Sequence, residues 1–391
     1  MAHPPARLDP VTAWAASGGM WLTGWPDQEP LADRAGVLTV ATELAASFPD
    51  VDVPALLFGR AALAGFSRHG RISAGGSSRL LRARDGWIAV TLARPDDIEA
   101  VPALVGTADV ADPWPVVEAW AAGCDGEEAA GRAALLGIPA AVLGAVPAGE
   151  PVRTTLISAP MRPHADRPLV VDLSALWAGP LCAHLLGRAG ARVVKVESPH
   201  RPDGARSGNQ RFYDWLHAGH EAVAVDLRSP EFDALLRRAD VVIEASRPRA
   251  LRQLGIVAEE VVAATGAIWV SITGYGRDDP EPGRVAFGDD AAVAGGLVAW
   301  DHAREPVFCA DAIADPLTGL CAAAAVMAAW AEGGGRLLDV AMALVAADVS
   351  ARAGCATEVP DAPVLPPHAP PVAPAAPALG ADTDTVLAEP G

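Results

Sequence analysis

The residues best suited to chemistry lie in the stretch IADPLTGL, residues 313–320, where a single carboxylate, Asp315, stands among small and apolar residues. Gly319 follows four positions later, and an alanine-rich run comes directly after. One interpretation is a helix N-cap, because an aspartate oxygen accepts from the free N–H groups of a first helical turn and Pro316 suits such a turn. The other is a reactive carboxylate in a pocket that largely excludes water. The spacing alone favours the cap, and the two roles are compatible.

An alternation of strands and helices precedes this stretch and must position it. Short runs rich in β-branched residues predict buried parallel strands at residues 168–173, 191–197, 222–227, 239–245 and 267–274. Such alternation indicates right-handed βαβ units, and hence an α/β fold with a doubly wound parallel sheet. A further strand at residues 86–93 belongs to a predicted second, smaller α+β domain.

The turns at the carboxyl ends of the strands matter most, because ligands of doubly wound sheets bind there. The first of these turns reads SALWAGP, residues 174–180, and lacks the G-x-G-x-x-G spacing of dinucleotide-binding folds. Its one glycine, Gly179, predicts a tight approach to a helix whose first N–H groups could face an anion. A nicotinamide-dependent dehydrogenase is therefore disfavoured. The sequence also lacks a P-loop, a serine nucleophile elbow and an HExxH motif.

Composition excludes several other classes of protein. A formal net charge of −18 on 391 residues argues against nonspecific nucleic-acid binding. The five cysteines form no C-x-x-C pair, which fits reduced thiols better than disulfides or zinc, and no metal site is predicted. We find no N-terminal signal core and no uninterrupted apolar run of about 18 residues. The expectation is a cytoplasmic protein that does not bind membranes.

The chain divides into five predicted regions. Residues 1–60 are helix-prone, 61–150 form the small domain, 151–354 hold the parallel sheet and Asp315, 355–378 form a Pro/Ala-rich linker or strap, and 379–391 form a short helical tail. The double glycine at 18–19 and the Asp-Val pair at 52–53 match similar pairs at 295–296 and 339–340. Residues 9–60 are thus either a shortened copy of 288–350, with Asp33 in place of Asp315, or a chance similarity.

Six sequence blocks resemble class III CoA-transferases and follow one another in the order of that family. They cover about residues 168–350 and read VVDLSALWAGPLCAHLLGRAGARVVKVESP, AVAVDLRSPE, ADVVIEASRPRALRQLGI, SITGYG, IADPLTGL and GRLLDVAMAL. The family includes formyl-CoA and carnitine CoA-transferases and 2-methylacyl-CoA racemases. The stretch DGWIAVTLARPDD resembles the small-domain strand that follows the catalytic half in that family. The chain therefore resembles a member with rearranged domain order.

This resemblance implies a function and its partners. It aligns Asp315 with the aspartate that attacks the thioester carbonyl of an acyl-CoA and transfers CoA, through a mixed anhydride and an aspartyl thioester, to a free carboxylic acid. Coenzyme A thioester is then a substrate, and no permanently bound cofactor is expected. Backbone N–H groups of the glycine-containing turn would stabilise the oxyanion. The family also implies an interlocked homodimer.

The resemblance further places eight residues at CoA, in four turns of the sheet. They are Leu176, Trp177 and Ala178 in the first turn, Arg206 after the second strand, Val225 beside the adenine, and Ala245, Ser246 and Arg247 after the fourth strand. Ala245 and Ser246 stand where the family usually has Asn and Phe, and Gln253 replaces an Arg. These replacements keep open a second hypothesis, a non-catalytic homologue that binds CoA or pairs with an active paralogue.

A 2-methylacyl-CoA racemase is the least favoured of the three hypotheses. That branch needs a histidine opposite the aspartate to move the α-proton, and no histidine lies between His220 and His302. Two acids, Asp289 and Asp290, occupy the corresponding segment, VAFGDDAAVAGG. We interpret them as loop or cap residues.

Overall fold

A computed structural model of the chain describes residues 9–108, 110–159, 166–278, 283–356, 362–372 and 374–389. The predicted linker at 355–378 is therefore described only in part. The outermost residues of the first region and of the tail, 1–8 and 390–391, lie outside the described residues.

The strands, in chain order, are β1 (Ser78–Arg82), β2 (Trp87–Thr91), β3 (Ala140–Val142), β4 (Val152–Leu156), β5 (Leu169–Asp172), β6 (Arg192–Glu197), β7 (Glu221–Ala224), β8 (Val241–Glu244), β9 (Ile268–Thr273), β10 (Val298–Trp300), β11 (Pro306–Phe308) and β12 (Arg336–Ala341). The large sheet has the order β4-β12-β9-β8-β5-β6-β7, and only β4 within it is antiparallel to its neighbour. This confirms the predicted doubly wound sheet. Strands β5–β9 match the five predicted strands to within a few residues, and β4 and β12 extend the sheet beyond them.

The helices are α1 (Pro10–Ser17), α2 (Gly36–Leu44), α3 (Val53–Ala64), α4 (Pro95–Glu99), α5 (Val101–Val105), α6 (Pro113–Ala122), α7 (Gly126–Leu135), α8 (Ala178–Arg188), α9 (Gln210–His217), α10 (Pro230–Arg238), α11 (Pro248–Gln253), α12 (Ala258–Thr265), α13 (Gly288–Ala294), α14 (Ala314–Ala331), α15 (Met342–Ala353) and α16 (Thr383–Leu387). Short 3₁₀ turns add Ala45–Ser47 and Gly204–Ser207. Many helices begin with a cap that the sequence supplies locally. Asp9 and Asp52, for example, accept from the backbone N–H groups of Thr12 and Ala55, and a proline follows within the first turn.

Both faces of the large sheet are covered by helices. Successive strand residues point to opposite faces, so Val170 joins the core with α8, α14 and α15, whereas Val171 joins the core with α10, α12 and α16. Burial on both faces explains the continuous β-branched runs that predict these strands. Helices α1–α3 belong to the first of these cores through Trp14, Val37 and Leu57. Helix α3 also crosses the predicted boundary at residue 60.

The smaller unit is α+β, as predicted. Strands β1, β2 and β3 form an antiparallel sheet whose core with α4–α7 includes Val90, Leu104 and Val117. Other side chains of this sheet pack on α13, where Trp87 and Ala89 meet Val293. The small sheet thus packs on α13 and on strands β10 and β11, and α13 begins at Gly288, which lies against Asp315.

Helix α14 bears on the expectation that no uninterrupted apolar run is long enough to cross a membrane. It has 18 residues with a mean hydropathy of 1.3 and Asp315 as its one charged residue, so it is long and apolar enough to cross a membrane. About 61% of it is buried inside the molecule, however, between α8, α15 and the sheet. These contacts are those of a core helix. No other helix in the described ranges meets both the length and the hydropathy condition.

The described part of the Pro/Ala-rich segment runs along the N-terminal helices in an extended conformation. Leu365 N–H donates to the Ala15 carbonyl at 2.9 Å, and Pro370 lies against Gly59 of α3. Beyond it, Asp382 pairs with the backbone of Ala222 at the free edge of β7. The segment and the tail thus connect α1, α3 and the edge of the sheet.

Candidate active site

The chain order of the large sheet reverses between β5 and β8. Strands β6 and β7 continue from β5 in one direction, and β9 and β12 continue from β8 in the other. In such sheets the carboxyl ends at this point form the ligand crevice. The turn that holds Leu176, Trp177 and Ala178 follows β5, and the turn that holds Ala245, Ser246 and Arg247 follows β8. The structure therefore brings six of the eight predicted CoA residues to one end of two adjacent strands.

The turn after β5 is strained. Leu176 has φ 69°, a left-handed conformation that bulky residues rarely adopt, and its side chain is 41% exposed. Its backbone N–H donates to Asp203 at 3.1 Å. Gly179 is required next, because a Cβ there would lie 2.2 Å from the Ser174 side chain. Trp177 is buried, and its Nε1 has no hydrogen-bond partner. Strain combined with an unsatisfied buried donor is typical of a functional turn.

A buried charge network holds this turn against the loop after β6. Lys195 Nζ lies 3.2 Å from Asp203 and 3.5 Å from Asp172. Glu197 accepts from the Asp203 N–H at 2.8 Å and pairs with Arg206 at 2.6 Å. Arg206 is thus committed to Glu197, and it also donates to the Pro377 carbonyl. Its guanidinium supports the loop and is not a solvated cation.

Four arginines gather near the turn after β8. Burial and the neighbouring Arg249, Arg94 and Arg201 lower the pKa of Arg247. Within the described residues, no carboxylate pairs with Arg201, Arg247 or Arg249. This edge therefore carries local positive charge on a strongly acidic chain. An arginine cluster of this kind suits an anionic ligand.

The remaining predicted CoA residues differ in exposure. Val225 is buried just after β7, where its N–H donates to the Glu197 carbonyl at 3.0 Å. Ala245 is exposed at the end of β8. Ser246 is partly buried and donates to Glu244 at 2.7 Å. At this turn the backbone, the Ala245 methyl group and the Arg247 guanidinium are thus open to a ligand, whereas the Ser246 hydroxyl is already hydrogen-bonded.

Asp315 is the second residue of α14 and not its cap. The cap position belongs to Ile313, and no side chain caps the helix. The N-cap interpretation is therefore wrong, because the helix begins at Ala314, two residues earlier than the sequence indicates. The Asp315 carboxylate lies against Gly288, where a Cβ would come within 2.5 Å of Oδ2. Asp315 is partly exposed and makes no ion pair with any described residue.

The surroundings of Asp315 raise the pKa of its carboxyl group to a value near neutrality. Burial raises its pKa to about 7; Arg60 opposes this rise, Asp289 and Asp311 add to it, and the Gly288 N–H opposes it again. A carboxylate that ionises near neutrality is suited to nucleophilic or acid–base chemistry.

Gly319 has a packing role. It lies inside α14, so its N–H belongs to the helical hydrogen-bond ladder and cannot serve an oxyanion. The expectation that other N–H groups of this turn stabilise an oxyanion stays a prediction. A Cβ here would lie 2.7 Å from the Ala178 carbonyl and 2.9 Å from Leu181 Cβ. The missing side chain lets α14 approach the first turn of α8, one helical turn away from Asp315.

Three charged residues around Asp315 were not predicted as site residues from the sequence. Arg60 Nη1 lies 2.8 Å from Asp311 Oδ1, and its guanidinium stacks 5.4 Å from the Trp177 ring centroid. Burial, followed by Asp311, raises the pKa of Asp289 to about 6. Asp311 precedes Asp315 by four residues, a helical spacing that could have indicated it. No local signal points to Arg60, which is 251 residues from Asp311.

The two acids of α13 have different roles. Asp290 accepts from the Phe287 N–H at 3.0 Å at the start of α13, in agreement with the cap interpretation. Asp289 does not cap the helix. It accepts from Ser78 and from the Ala312 N–H, across to the turn before Asp315. Among the residues that the structure describes, no group of three or more His, Cys, Asp or Glu side chains could hold a metal.

The comparison with family models decides the family. The model for CoA-transferase family III matches residues 168–383, more than half of the chain. The chain belongs to this family. All eight predicted CoA residues and Asp315 lie within the matched segment, whereas Arg60 and the small unit lie outside it.

Several curated CoA-transferases are similar to this chain over part of its length. It is 32% identical over 199 residues to a succinyl-CoA–D-citramalate CoA-transferase of Chloroflexus aurantiacus, covering 46% of this chain and 49% of the relative. It is 29% identical over 224 residues to a mouse succinyl-CoA:glutarate CoA-transferase, covering 51% and 50%. The chain spans about half the length of the curated relatives it matches. A solved CAIB/BAIF family protein from Brucella suis shares 28% identity at a TM-score of 0.43, over 46% of this chain and 53% of that chain.

Proposed function

We propose that this family III chain transfers CoA from an acyl-CoA to a free carboxylic acid, with Asp315 as the nucleophile. The observation that carries the proposal is the position of Asp315. It has no capping role, it is partly exposed in the first turn of α14, and Gly319 packs that helix against the start of α8. We infer from this packing that the carboxylate lies beside the crevice at the ends of β5 and β8.

The chemistry proceeds through covalent intermediates on one carboxylate. The Asp315 carboxylate attacks the thioester carbonyl, and the C–S bond breaks to give an acyl-aspartyl anhydride and CoA thiolate. The thiolate then attacks the Asp315 carbonyl carbon and releases the first acid as a carboxylate. The acceptor carboxylate attacks the resulting aspartyl thioester and gives a second anhydride and CoA thiolate. The thiolate then attacks the acceptor carbonyl of that anhydride, and its C–O bond to Asp315 breaks, which yields the new acyl-CoA and the free Asp315 carboxylate. Each step exchanges activated acyl derivatives, so no outside energy source is required.

The surroundings support this assignment. Near the turn after β8, Arg201, Arg247 and Arg249 offer positive charge to the phosphates of CoA, whereas Arg94 is paired with Asp97. Apolar residues next to Asp315, including Ala314 and Leu317, are buried and help to keep water from the anhydride. With a pKa of about 7, a substantial fraction of Asp315 is ionised at neutral pH and able to attack.

The names of the relatives suggest the first substrates to test. Several are transferases that use succinyl-CoA, with glutarate or D-citramalate as the partner acid. We therefore propose succinyl-CoA as the donor and a short dicarboxylic acid as the acceptor. Cytoplasmic location and a homodimer remain part of the proposal, and light scattering that shows a monomer at micromolar concentration would contradict the homodimer.

A trapping experiment tests the nucleophile. The purified protein is incubated with succinyl-CoA, treated with hydroxylamine, and digested for peptide mass mapping. We expect a hydroxamate at Asp315, and neither hydroxamate nor turnover in Asp315→Asn, because an amide forms no anhydride. Turnover by the Asn variant at the wild-type rate would refute the mechanism.

The same experiment separates the alternatives. A wild type that binds CoA but traps no acyl group from any donor in a broad thioester panel would support the non-catalytic homologue. Exchange of an α-proton of a 2-methylacyl-CoA in deuterium oxide, without CoA transfer, would support the racemase.

A further inference from the structure

The turn before Asp315 is held in an unfavourable conformation by side chains from distant parts of the chain. Ala310 and Ala312 have φ values of 56° and 42°, in the left-handed region that favours glycine. The Ala310 N–H donates to Thr23 Oγ1 at 3.1 Å, and the Ala312 N–H donates to Asp289 Oδ1 at 3.0 Å. Such strain persists only where surrounding contacts enforce it.

Asp289 is placed so that it meets both the turn and the small unit. Its second oxygen, Oδ2, accepts from Ser78 Oγ on β1 at 2.9 Å. The residue before it, Gly288, has no side chain, which allows the Asp315 carboxylate to lie directly against the start of α13. One carboxylate thus links the small sheet, α13 and the turn that presents Asp315.

We propose that Asp289 is a positioning residue for Asp315. Asp289 holds the 310–312 turn and places a second carboxylate beside the nucleophile. This inference rests on the proposed function of Asp315. It concerns a residue that touches the turn and not the substrate, so the expected effects are on the geometry and ionisation of Asp315.

The charged groups around the pair are few and come from three elements. Arg60 approaches from α3, and Asp311 belongs to the turn itself. Asp290 neighbours Asp289 on α13 and is held by Thr91 and its own cap hydrogen bond. Among the groups that shift the pKa of Asp315, Arg60 is the one guanidinium. The carboxylates of Asp289, Asp311 and Asp315 therefore share one cation. Removing the charge of Asp289 therefore favours ionisation of Asp315.

Two variants separate position from charge. Asp289→Asn keeps the shape and an acceptor for the Ala312 N–H but removes the charge. Its pH–rate profile should shift toward lower pH by about one unit, with the rate at high pH nearly retained. Asp289→Ala removes the acceptor as well, so kcat should fall about tenfold at every pH, with KM for succinyl-CoA within about twofold.

A second measurement reads Asp315 without using turnover. Carbodiimide coupling of an amine to carboxyl groups needs the protonated acid, so labelling of Asp315, followed by peptide mass mapping across pH, reports its ionisation. In Asp289→Asn the labelling midpoint should move to lower pH by the same amount as the rate profile. Asp233→Asn, on the exposed face of α10, is the charge-matched control and should leave the midpoint in place.

The outcomes distinguish this inference from the proposed function. An unchanged labelling midpoint in Asp289→Asn, or an unchanged kcat in Asp289→Ala, would overturn the positioning role. If Asp315→Asn keeps full turnover, the proposed function fails, and the labelling experiment alone still decides whether Asp289 controls Asp315. Thermal unfolding of each variant confirms that it is folded at the temperature of the measurements.

Discussion

Two regions of this molecule share a pattern of residues but use it differently: residues 10–64 and residues 288–353. Each runs through a helix, a double glycine, an acid followed by glycine, a helix, an Asp-Val pair and a last helix. Along the chain, helices α1, α2 and α3 correspond in order to α13, α14 and α15. The second helix has nine residues in the first region and 18 in the second. The first region has no counterpart of β12 before its last helix.

The glycines of the two regions have the same task. A Cβ on Gly36 would lie 2.2 Å from the Ala353 carbonyl, so α2 approaches the end of α15. Gly319 does the same for α14 and the start of α8. In both regions the acid is followed by a glycine that brings its helix close to a neighbouring backbone.

The acids have different tasks. Asp33 lies three residues before α2, where it accepts from the Trp300 N–H at 3.2 Å and lies 3.6 Å from Arg34. Asp315 lies inside the first turn of α14, with no ion pair among the described residues. An acid occupied by structural partners supports the fold, and an acid without them is available for chemistry. Whether the first region arose as a copy of the second stays a prediction.

The first region nevertheless contributes to the site of the second. Thr23 and Arg60 hold the turn before Asp315, at Ala310 and Asp311. Similarity in sequence therefore does not give the first region the role of the second, and its contribution comes from its contacts with the turn before Asp315.

The largest expected effect comes from exchanging the two acids for asparagine. Asp315→Asn should lower kcat by at least about 10³-fold, because the amide cannot become an anhydride. Asp33→Asn should leave kcat within about threefold, since its side chain still accepts from Trp300. Initial rates with succinyl-CoA and glutarate measure both. A larger loss of kcat in Asp33→Asn than in Asp315→Asn would contradict the assignment of the chemistry to Asp315.

A second prediction concerns how the free energy of unfolding depends on pH. The pKa of Asp315 is raised from 3.8 to about 7, so between these values the folded state binds more protons than the unfolded state. Its contribution to the free energy of unfolding is therefore present below pH 4 and is lost as pH rises to 7. Asp315→Asn should be more stable than wild type at pH 8, by on the order of 1 kcal/mol, and show a smaller difference at pH 5. Urea unfolding at both pH values tests this, and an equal difference at pH 5 and pH 8 would contradict it.

Alanine at either packing glycine should destabilise the protein to a similar degree. Gly36→Ala and Gly319→Ala each force a Cβ against backbone, which should lower the free energy of unfolding by about 1–3 kcal/mol. Gly319→Ala should also reduce kcat, because α8 and Asp315 move apart. Gly131→Ala, at an open position in α7, is the control and should raise stability by about 0.5–1 kcal/mol. An unchanged kcat in Gly319→Ala would show that the packing role of this glycine does not affect catalysis.

The smallest effect is expected at the Asp-Val pair of the first region. Asp52 caps α3 and lies 2.7 Å from the exposed His368. Asp52→Ala should cost about 1 kcal/mol of stability through the lost cap, whereas Asp52→Asn keeps a cap and should cost less than about 0.5 kcal/mol. Equal losses in the two variants, measured by urea unfolding, would show that the contact with His368 dominates.

The sequence by itself determined the large sheet and the candidate nucleophile. Residues such as Val170 and Val171 lie in β-branched runs that only burial on both faces can satisfy, and this fixes parallel strands with helices between them. The turn at Leu176 and the stretch around Asp315 were identified because their residues are consecutive in the chain. Local patterns of this kind need no knowledge of which distant segments meet.

Only the tertiary structure decided what surrounds Asp315. The start of α14 at Ala314 depends on a turn held by Thr23 and Asp289, so the cap interpretation failed there. Arg60 reaches the site because α3 packs into the same core as α8 and α14. Such contacts join residues more than 200 positions apart, and they follow from how the helices pack on the sheet, which no local propensity encodes.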